Sequence, residues 1–480
     1  MNNISAAADL KIAEKRVEAH SAVFKKELGV KDLVLAQILT VIGGFGIGTA
    51  AKLGSAHLAL WLLAILFFFL PLASVVIYLN RIMPLEGGIY QWAKLGFNEF
   101  VGFFVAWNTW LFAIVYMSAI GLSVATSLSY ALGPNAAWMA GSKWFIAIMS
   151  CAVIGALAAV ATVGLGVGKW VHNAGGLILL VVFAALLALP LLNLAQGIPT
   201  TYPPLEITMP ALSLLTATIF VKMAVFAFGG FEYVAILAGE CRNPARAITK
   251  SVLIAVPLIA LMYILGTNSV LTFIKPEDVD LINPFAQVFT VGFGSFGAVA
   301  NLVSGIILAM MVREITQSSL TFTGNTRLPM VAGWDHLLPA WFTRLHAKYK
   351  TPVNSIILAA AMTLCIGLAG IIEVGQQEAY QLLQSAAGIF IASTQLVMFA
   401  IPIIGLRGAG VRVPIWVKII SVSGFTMSLS FIVLSVFPII EVESWLAYSV
   451  KIIAVIVVTN IVGVVIFLTA DRRRKQETNN

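Results

Sequence analysis

Residues Ile219 to Ile248 read IFVKMAVFAFGGFEYVAILAGECRNPARAI, and the fold class turns on them. They sit in an apolar tract from about Leu212 to Gly239, long enough to cross a bilayer as a helix. Its middle holds Phe228-Gly229-Gly230-Phe231, followed at once by Glu232. Each glycine weakens a helix by roughly 1 kcal/mol relative to alanine, and a carboxylate at membrane depth costs several more. Backbone freed at that depth has to line a cavity or be buried in protein, because lipid offers no hydrogen bonds. A second such stretch, VIGGFGIGTA, runs from Val41 to Ala50 with four glycines. An isolated glycine pair would read as helix packing, since small residues let membrane helices approach closely. Two interrupted apolar segments in corresponding positions point instead to the binding site of a secondary transporter.

The composition agrees. The chain has 480 residues, 60% hydrophobic and only 10% charged, with a mean hydropathy of +0.97. Soluble domains carry about a quarter charged residues, so this is a polytopic membrane protein. The formal net charge of +8 is no nucleic-acid footprint. Most Lys and Arg fall in alternate loops and the two tails, which is the positive-inside pattern. Cys151, Cys241 and Cys365 are scattered, and His20, His57, His172, His336 and His346 lack ligand spacing. Neither a disulfide framework nor a metal site is expected, and no organic cofactor. The tail to about Gly29 is polar and charged, without the apolar core of a signal peptide.

Hydropathy predicts an all-α membrane protein of about twelve spans, at 33–53, 57–79, 99–130, 143–163, 169–193, 212–239, 247–273, 286–324, 353–372, 379–405, 415–438 and 446–470. Charges test the count. One side holds the basic tail (Lys11 to Lys31), then Arg81 and Lys94, Lys169, Arg242 to Lys250, Arg327 to Lys350, Arg407 to Lys418, and Arg472-Arg473-Arg474-Lys475. The opposite loops carry mainly acids: Glu206, three acids around Lys275, Glu373 with Glu378, and Glu441 with Glu443. That alternation needs an even number of spans and sets both termini in the cytoplasm of a cell-membrane protein. The two glycine clusters fall in the first and sixth spans. Their spacing predicts two five-span repeats of inverted topology, 31–193 and 212–405. Two last helices (415–470) follow, with cytoplasmic tails at 1–30 and 471–480.

Four stretches also resemble a known family, in the family's order. They are GGFGIG in the first span, MPLEGGIYQWAKLGF (Met83 to Phe97), FAFGGFE with AGECRNPARAI in and after the sixth, and RLPMVAGWDHLLPAWFTRLHAKYKTPVNSI (Arg327 to Ile356). Over Leu28 to about Arg412 the chain resembles amino acid permeases of the amino acid–polyamine–organocation superfamily. The resemblance implies the leucine-transporter fold, with alternating access around a central site between spans one, six, three, eight and ten. It also implies that Phe226 is the aromatic gate over bound substrate; core packing is the other reading of that ring. Some proton-coupled relatives carry a lysine inside the fifth span in place of a sodium ion, and this span has none after Lys169.

The chemistry of the two breaks is readable separately. A zwitterionic amino acid leaving water needs fixed partners of both signs. Backbone N–H groups at Ile42, Gly43, Gly44, Phe45 and Gly46, running on to Gly48, can take the carboxylate, because a half-helix N-terminus is partly positive. Carbonyls from Phe226 to Gly229, beside Gly230, can take the ammonium. Breaks are expected at Gly43–Gly48 and Phe228–Gly230, and bulk at Gly46 is expected to abolish binding without harming the fold. Glu232 either braces the unwound segment or titrates during transport. Lys222, four residues before Phe226, is expected on the same helical face. Lys222, Arg313 and Glu314 form either a buried ion-pair cluster or a cationic face toward an extra substrate carboxylate. Ser318 and Ser319, with carbonyls near Gly43 and Gly46, could hold Na+; packing or back-bonded hydroxyls are the plainer reading. Arg242, Asn243-Pro244 and Arg246 read as a cytoplasmic turn that could meet the loop around Glu86.

The expected function is amino acid movement across the cytoplasmic membrane by symport or exchange, with Na+ or H+ as coupling ion. Partners are the small substrate and the lipid bilayer, without nucleic acid; the sequence is silent on oligomeric state. Polyamine transport is the second reading, but apart from Glu232 and Glu314 the spans are nearly acid-free. An integral-membrane transferase would need clustered acids or histidines, and a channel a filter repeat.

Overall fold

The computed structural model describes residue 26 and residues 28–85, 87–198, 205–294, 300–326, 328–329, 336–370, 375–407 and 411–479. Among them the secondary structure is helical, apart from one isolated bridge between Leu28 and Cys241. Ten helices are long and apolar enough to cross a membrane. An eleventh span consists of two helices, Val30–Val41 and Gly44–Ala51, bent by 47°. The 26-residue helix Ala300–Asn325 packs among them where the eighth span is expected, but it is not apolar enough to join the ten or eleven. Span one is thus Val30–Val41 with Gly44–Ala51, and span two is Gly54–Ile82. Spans three to seven are Glu99–Leu132, Lys143–Val163, Trp170–Ala195, Leu214–Glu240 and Pro244–Phe273. Span eight is Ala300–Asn325. Spans nine to twelve are Val353–Gly370, Gln376–Ile403, Ile415–Leu434 and Trp445–Gln476.

Span starts follow from local chemistry. Asn98, Ser142, Ser213 and Asn243 each accept a backbone N–H from three residues ahead, capping spans three, four, six and seven. Pro244 follows the last of these caps at the first helical position, where a missing N–H costs nothing.

One span differs from its expected bounds. The tract 286–324 is not a single helix: Pro284–Phe293 is a separate short helix. Pro284 sits in its first turn, and the helix ends at Gly294. This short helix packs on the second half of span one and on spans three, five and seven, over the end of the central cavity.

The expected breaks are both present, with one shifted. In span one the interruption is at Ile42 and Gly43, both extended, and helix resumes at Gly44. The expected break over Gly43–Gly48 is therefore too long by most of its length. Gly44, Gly46 and Gly48 stay helical and let neighbouring elements pack closely against this half-span. In span six, α-helix gives way to a π turn at Lys222–Phe226, and a turn follows at Gly229-Gly230. A 3-10 helix then covers Phe231–Glu240. Gly230 has φ +89, a left-handed conformation that glycine adopts without a Cβ penalty. The ring of Phe228, just before the turn, stacks at 4.0 Å on Phe69, which ends a second π turn at Ile65–Phe69 in span two.

The 3-10 half of span six is held on three sides. Leu28 N–H donates to Glu240 O at 3.0 Å, and the Lys26 ammonium reaches Gly239 O. Gly88 lies so close to the carbonyl of Ala235 that any Cβ would overlap it at 2.6 Å. This contact explains the second glycine, Gly88, of the Met83–Phe97 motif. On the third side the Tyr233 hydroxyl donates to Thr321 O of span eight and accepts from Asn325 at 2.8 Å. Glu86 lies outside the described residues, and with it the expected contact to Arg242 and Arg246.

Candidate functional site

A helix that stops inside a bilayer leaves its last carbonyls without helical partners. At the end of the first half of span one, three consecutive carbonyls each receive a side-chain donor from another span. Gln317 Nε2 donates to Thr40 O at 2.7 Å and Arg313 Nη1 to Ile42 O at 2.8 Å. Tyr263 Oη lies 2.6 Å from Val41 O and 2.8 Å from Ala227 O, so one hydroxyl proton serves a carbonyl from each break. Arg313 Nη1 also donates to Gln317 Oε1 at 2.9 Å, which locks the two side chains together one helical turn apart.

The second half of span one begins on the other side of this seam. Its first-turn N–H groups have no intrahelical acceptor. Gly43, Gly44, Phe45 and Gly46 line a central cavity of about 60 Å³, facing Phe226, Gly229 and Gly230 of span six. Phe226 meets Phe45 edge-on at 5.1 Å, and Phe45 meets Tyr380 of span ten at 5.9 Å. Arg313 and Glu314 of span eight complete the wall, with one cationic and one acidic side chain. Arg313 is 5% exposed, and its Nε has no hydrogen-bond partner. The cavity can therefore offer partly positive N–H groups, carbonyl oxygens and an aromatic cover within one small space.

The other sequence candidates fall around this cavity rather than on it. Ile42 contributes a carbonyl, while its side chain is fully buried. Glu232 is 2% exposed behind the span-six turn, where Gln395 of span ten donates to it at 3.0 Å. Lys222 does not share the cavity face with Phe226. Its ammonium donates to Ser385 Oγ at 3.0 Å and to Phe437 O at 2.8 Å. The expected face followed from backbone spacing alone. The long lysine stem instead carries the ammonium away from the cavity, to partners on span ten and in the chain after span eleven. The expected ion pairs of Lys222 or Arg313 with Glu314 do not form among the described residues. Glu314 instead accepts from Ser123 of span three at 2.6 Å.

Ser318 and Ser319 diverge. Ser318 shares a small void with Glu314 and Ser123, while Ser319 Oγ is 3.4 Å from His172 Nε2 of span five. The break carbonyls of Thr40, Val41 and Ile42 already have their donors. Gly46 is a packing position: a Cβ there would sit 2.9 Å from Ala227 Cβ and 3.1 Å from Tyr263. The expectation that bulk at Gly46 spares the fold is therefore corrected. Gly43, by contrast, has nothing within 4 Å of its would-be Cβ.

Sequence reading missed Tyr263, Gln317 and Tyr380. The available signal was the residue type, since a hydroxyl or amide in an apolar span needs an internal partner.

The chain is similar to several described transporters. An uncharacterised transporter of Legionella pneumophila is 24% identical over 384 residues, covering 78% of this chain and 80% of its own. The branched-chain amino acid permease of Bacillus subtilis is 23% identical over 75% of this chain and 80% of its own. A probable agmatine/putrescine antiporter of Lactococcus lactis is 20% identical over 70% of each. The sequence pattern of amino acid permeases matches residues 28–469, nearly the whole described bundle with both breaks inside it, and the chain belongs to the amino acid permease family.

Proposed function

We propose that the central cavity binds a small neutral amino acid as its zwitterion and that the protein carries it across the cytoplasmic membrane by alternating access. The observation that carries this reading is a half-helix N-terminus at Gly44 facing the interrupted carbonyls of span six in one enclosed space. The carboxylate would take the N–H groups of Gly44 to Gly46 and the ammonium the carbonyls near Phe226 to Gly229, with Phe226 as the cover. The charge balance argues for a neutral side chain. Arg313 and Glu314 cancel on the wall, so an extra charge on the substrate would be buried without a partner. Lys222 drops out of that balance, which removes the second cation from the case for an acidic substrate. The size argues likewise, because about 60 Å³ holds roughly four to six water-sized groups.

The proposal keeps two five-span repeats, 31–193 and 212–405, moving against each other around the site, with both termini cytoplasmic. Transport is exchange, or symport driven by Na+ or H+. Glu232, Ser318 and Ser319 are the groups around the two breaks proposed to respond to an ion. The integral-membrane transferase reading falls with the family.

The test is uptake of a panel of labelled amino acids and putrescine into liposomes holding the purified protein, with and without Na+ and pH gradients. Small neutral amino acids should enter and compete with one another. Uptake confined to acidic amino acids, or to putrescine, would overturn the assignment.

A further inference from the structure

A small void of about 10 Å³ adjoins the central cavity, with room for about one water-sized group. Tyr116, Glu314 and Tyr380 line both spaces, while Ser123, Ser318 and Gln384 line the void alone. Three spans meet here: span three carries Tyr116 and Ser123, span eight Glu314 and Ser318, and span ten Tyr380 and Gln384. Glu314 with Ser318, and Tyr380 with Gln384, are four residues apart, which puts each pair on one helix face.

Within this group one hydrogen bond forms, from Ser123 Oγ to Glu314 Oε1 at 2.6 Å. The side chains of Tyr116, Ser318, Tyr380 and Gln384 make none among the described residues. Ser318, Tyr380 and Gln384 are only 3%, 6% and 2% exposed, so bulk water does not serve them. Comparable groups elsewhere in the bundle have carbonyl partners: Tyr263, Gln317 and Tyr233 each donate to one. Buried polar side chains are normally satisfied, and the membrane interior offers no substitute. Four unmet groups around one carboxylate mark a place where a ligand supplies the missing partner.

We propose that this void receives a hydroxyl on the substrate's side chain, so that among neutral amino acids the site selects a small hydroxy amino acid such as serine or threonine. The proposal rests on the zwitterion reading of the central cavity. A hydroxyl is both donor and acceptor. It donates to the Glu314 carboxylate and accepts from Tyr116 or Tyr380, with Ser318 and Gln384 behind it. Size and charge select the group. The substrate backbone fills most of the central cavity, and the void beside it takes about one heavy atom more. A methyl there would leave the carboxylate and both tyrosines unmet. An ammonium would upset the balance of Arg313 and Glu314 on the wall, a second carboxylate would face Glu314, and an amide is larger than the void.

The test is isothermal titration of the purified full-length protein with two isosteric pairs, L-serine with L-2-aminobutyrate and L-threonine with L-valine. Within each pair a hydroxyl takes the place of a methyl, so size is held constant. The hydroxy member should bind at least about tenfold tighter, because its analogue leaves buried polar groups unpaired. A protein carrying both Tyr116→Phe and Tyr380→Phe keeps the two rings and loses the two hydroxyls. Its serine-to-2-aminobutyrate affinity ratio should fall by about tenfold. Equal affinity within both pairs would overturn the proposal and leave the zwitterion reading standing, since the void would then hold water whatever the substrate. A wild-type ratio in the double variant would also overturn it, as would a loss of affinity for both members by one common factor, which marks a structural role. Failure of all four amino acids to bind would overturn the zwitterion reading and this proposal with it. The double variant is checked for the wild-type elution profile and melting temperature, so that a misfolded protein is not counted as lost binding.

Discussion

Replacing Gly43 by larger residues tests the transport site without touching the fold. Gly43 is extended, with φ −133 and ψ 150, a conformation open to any L-residue. Its would-be Cβ meets nothing within 4 Å and stands at the wall of the cavity. The cavity of about 60 Å³ has room for roughly four to six water-sized groups. The backbone of an amino acid alone uses most of that room, and the four carbons of a leucine side chain would take nearly all of it. Forcing extra carbons into a filled site costs about 1–3 kcal/mol. Gly43→Ala should therefore weaken substrate binding about fivefold, and Gly43→Leu by about a hundredfold or more.

Stability should move the other way. Gly→Ala at a compatible position lowers the entropy of the unfolded chain and stabilises by about 0.4–1 kcal/mol. The assay pairs counterflow in proteoliposomes, using the amino acid found in the uptake panel, with thermal unfolding in detergent. Wild-type affinity in the Gly43→Leu protein would refute the reasoning, because it would move the substrate away from the span-one break.

Four further changes have distinct expected outcomes. Gly46→Ala puts a methyl 2.9 Å from Ala227; it should destabilise the protein by about 1–3 kcal/mol, and an unchanged melting temperature would contradict the packing role. Tyr263→Phe leaves the carbonyls of Val41 and Ala227 without their shared donor, so thermal unfolding should show a loss of about 1–3 kcal/mol, and none at all would mean water replaces the hydroxyl. Lys222→Met should leave the substrate profile unchanged, since the ammonium is bound to Ser385 and Phe437 outside the cavity; altered selectivity in uptake would return it to the site. Arg313→Gln leaves Glu314 as the one charged side chain on the cavity wall, and lysine should then compete for uptake where it did not before; continued exclusion of lysine would show that charge balance does not set the choice.

The parts of this fold that were legible in the sequence are those with a large local energetic signature. Glycine pairs and a carboxylate inside apolar tracts are expensive in lipid, so Gly43-Gly44 and Gly229-Gly230 stand out from residue order alone. The alternation of basic and acidic loops counts the spans for a similar reason, because each misplaced charge would have to cross the bilayer. Depth and phase were harder to read. Gly294 cuts the tract 286–324, yet its hydropathy runs on as if uninterrupted. The long stem of Lys222 takes its ammonium to Ser385 and Phe437, away from the cavity that helical spacing assigns to it. Hydropathy has no register for either event, since the same residues are apolar whichever way they point.

The site itself adds a further step that local reading cannot supply. A glycine break announces that several carbonyls have lost their helical donors, but it does not say which groups replace them. Here the replacements for Thr40, Val41 and Ile42 come from Gln317, Tyr263 and Arg313, which are 277, 222 and 271 residues away along the chain. None of the three carries a motif. Each is a polar-tipped side chain long enough to reach a neighbouring helix, of a kind that recurs elsewhere in the bundle. Their assignment depends on how spans one, seven and eight pack, which is settled by many small residues at once. Tyr263 couples this to span six as well, through its contact with Ala227 O. A movement that separates the two breaks must therefore break or pass on that one proton. The geometry of the seam, rather than any single motif, ties the two half-helices together through the Tyr263 hydroxyl.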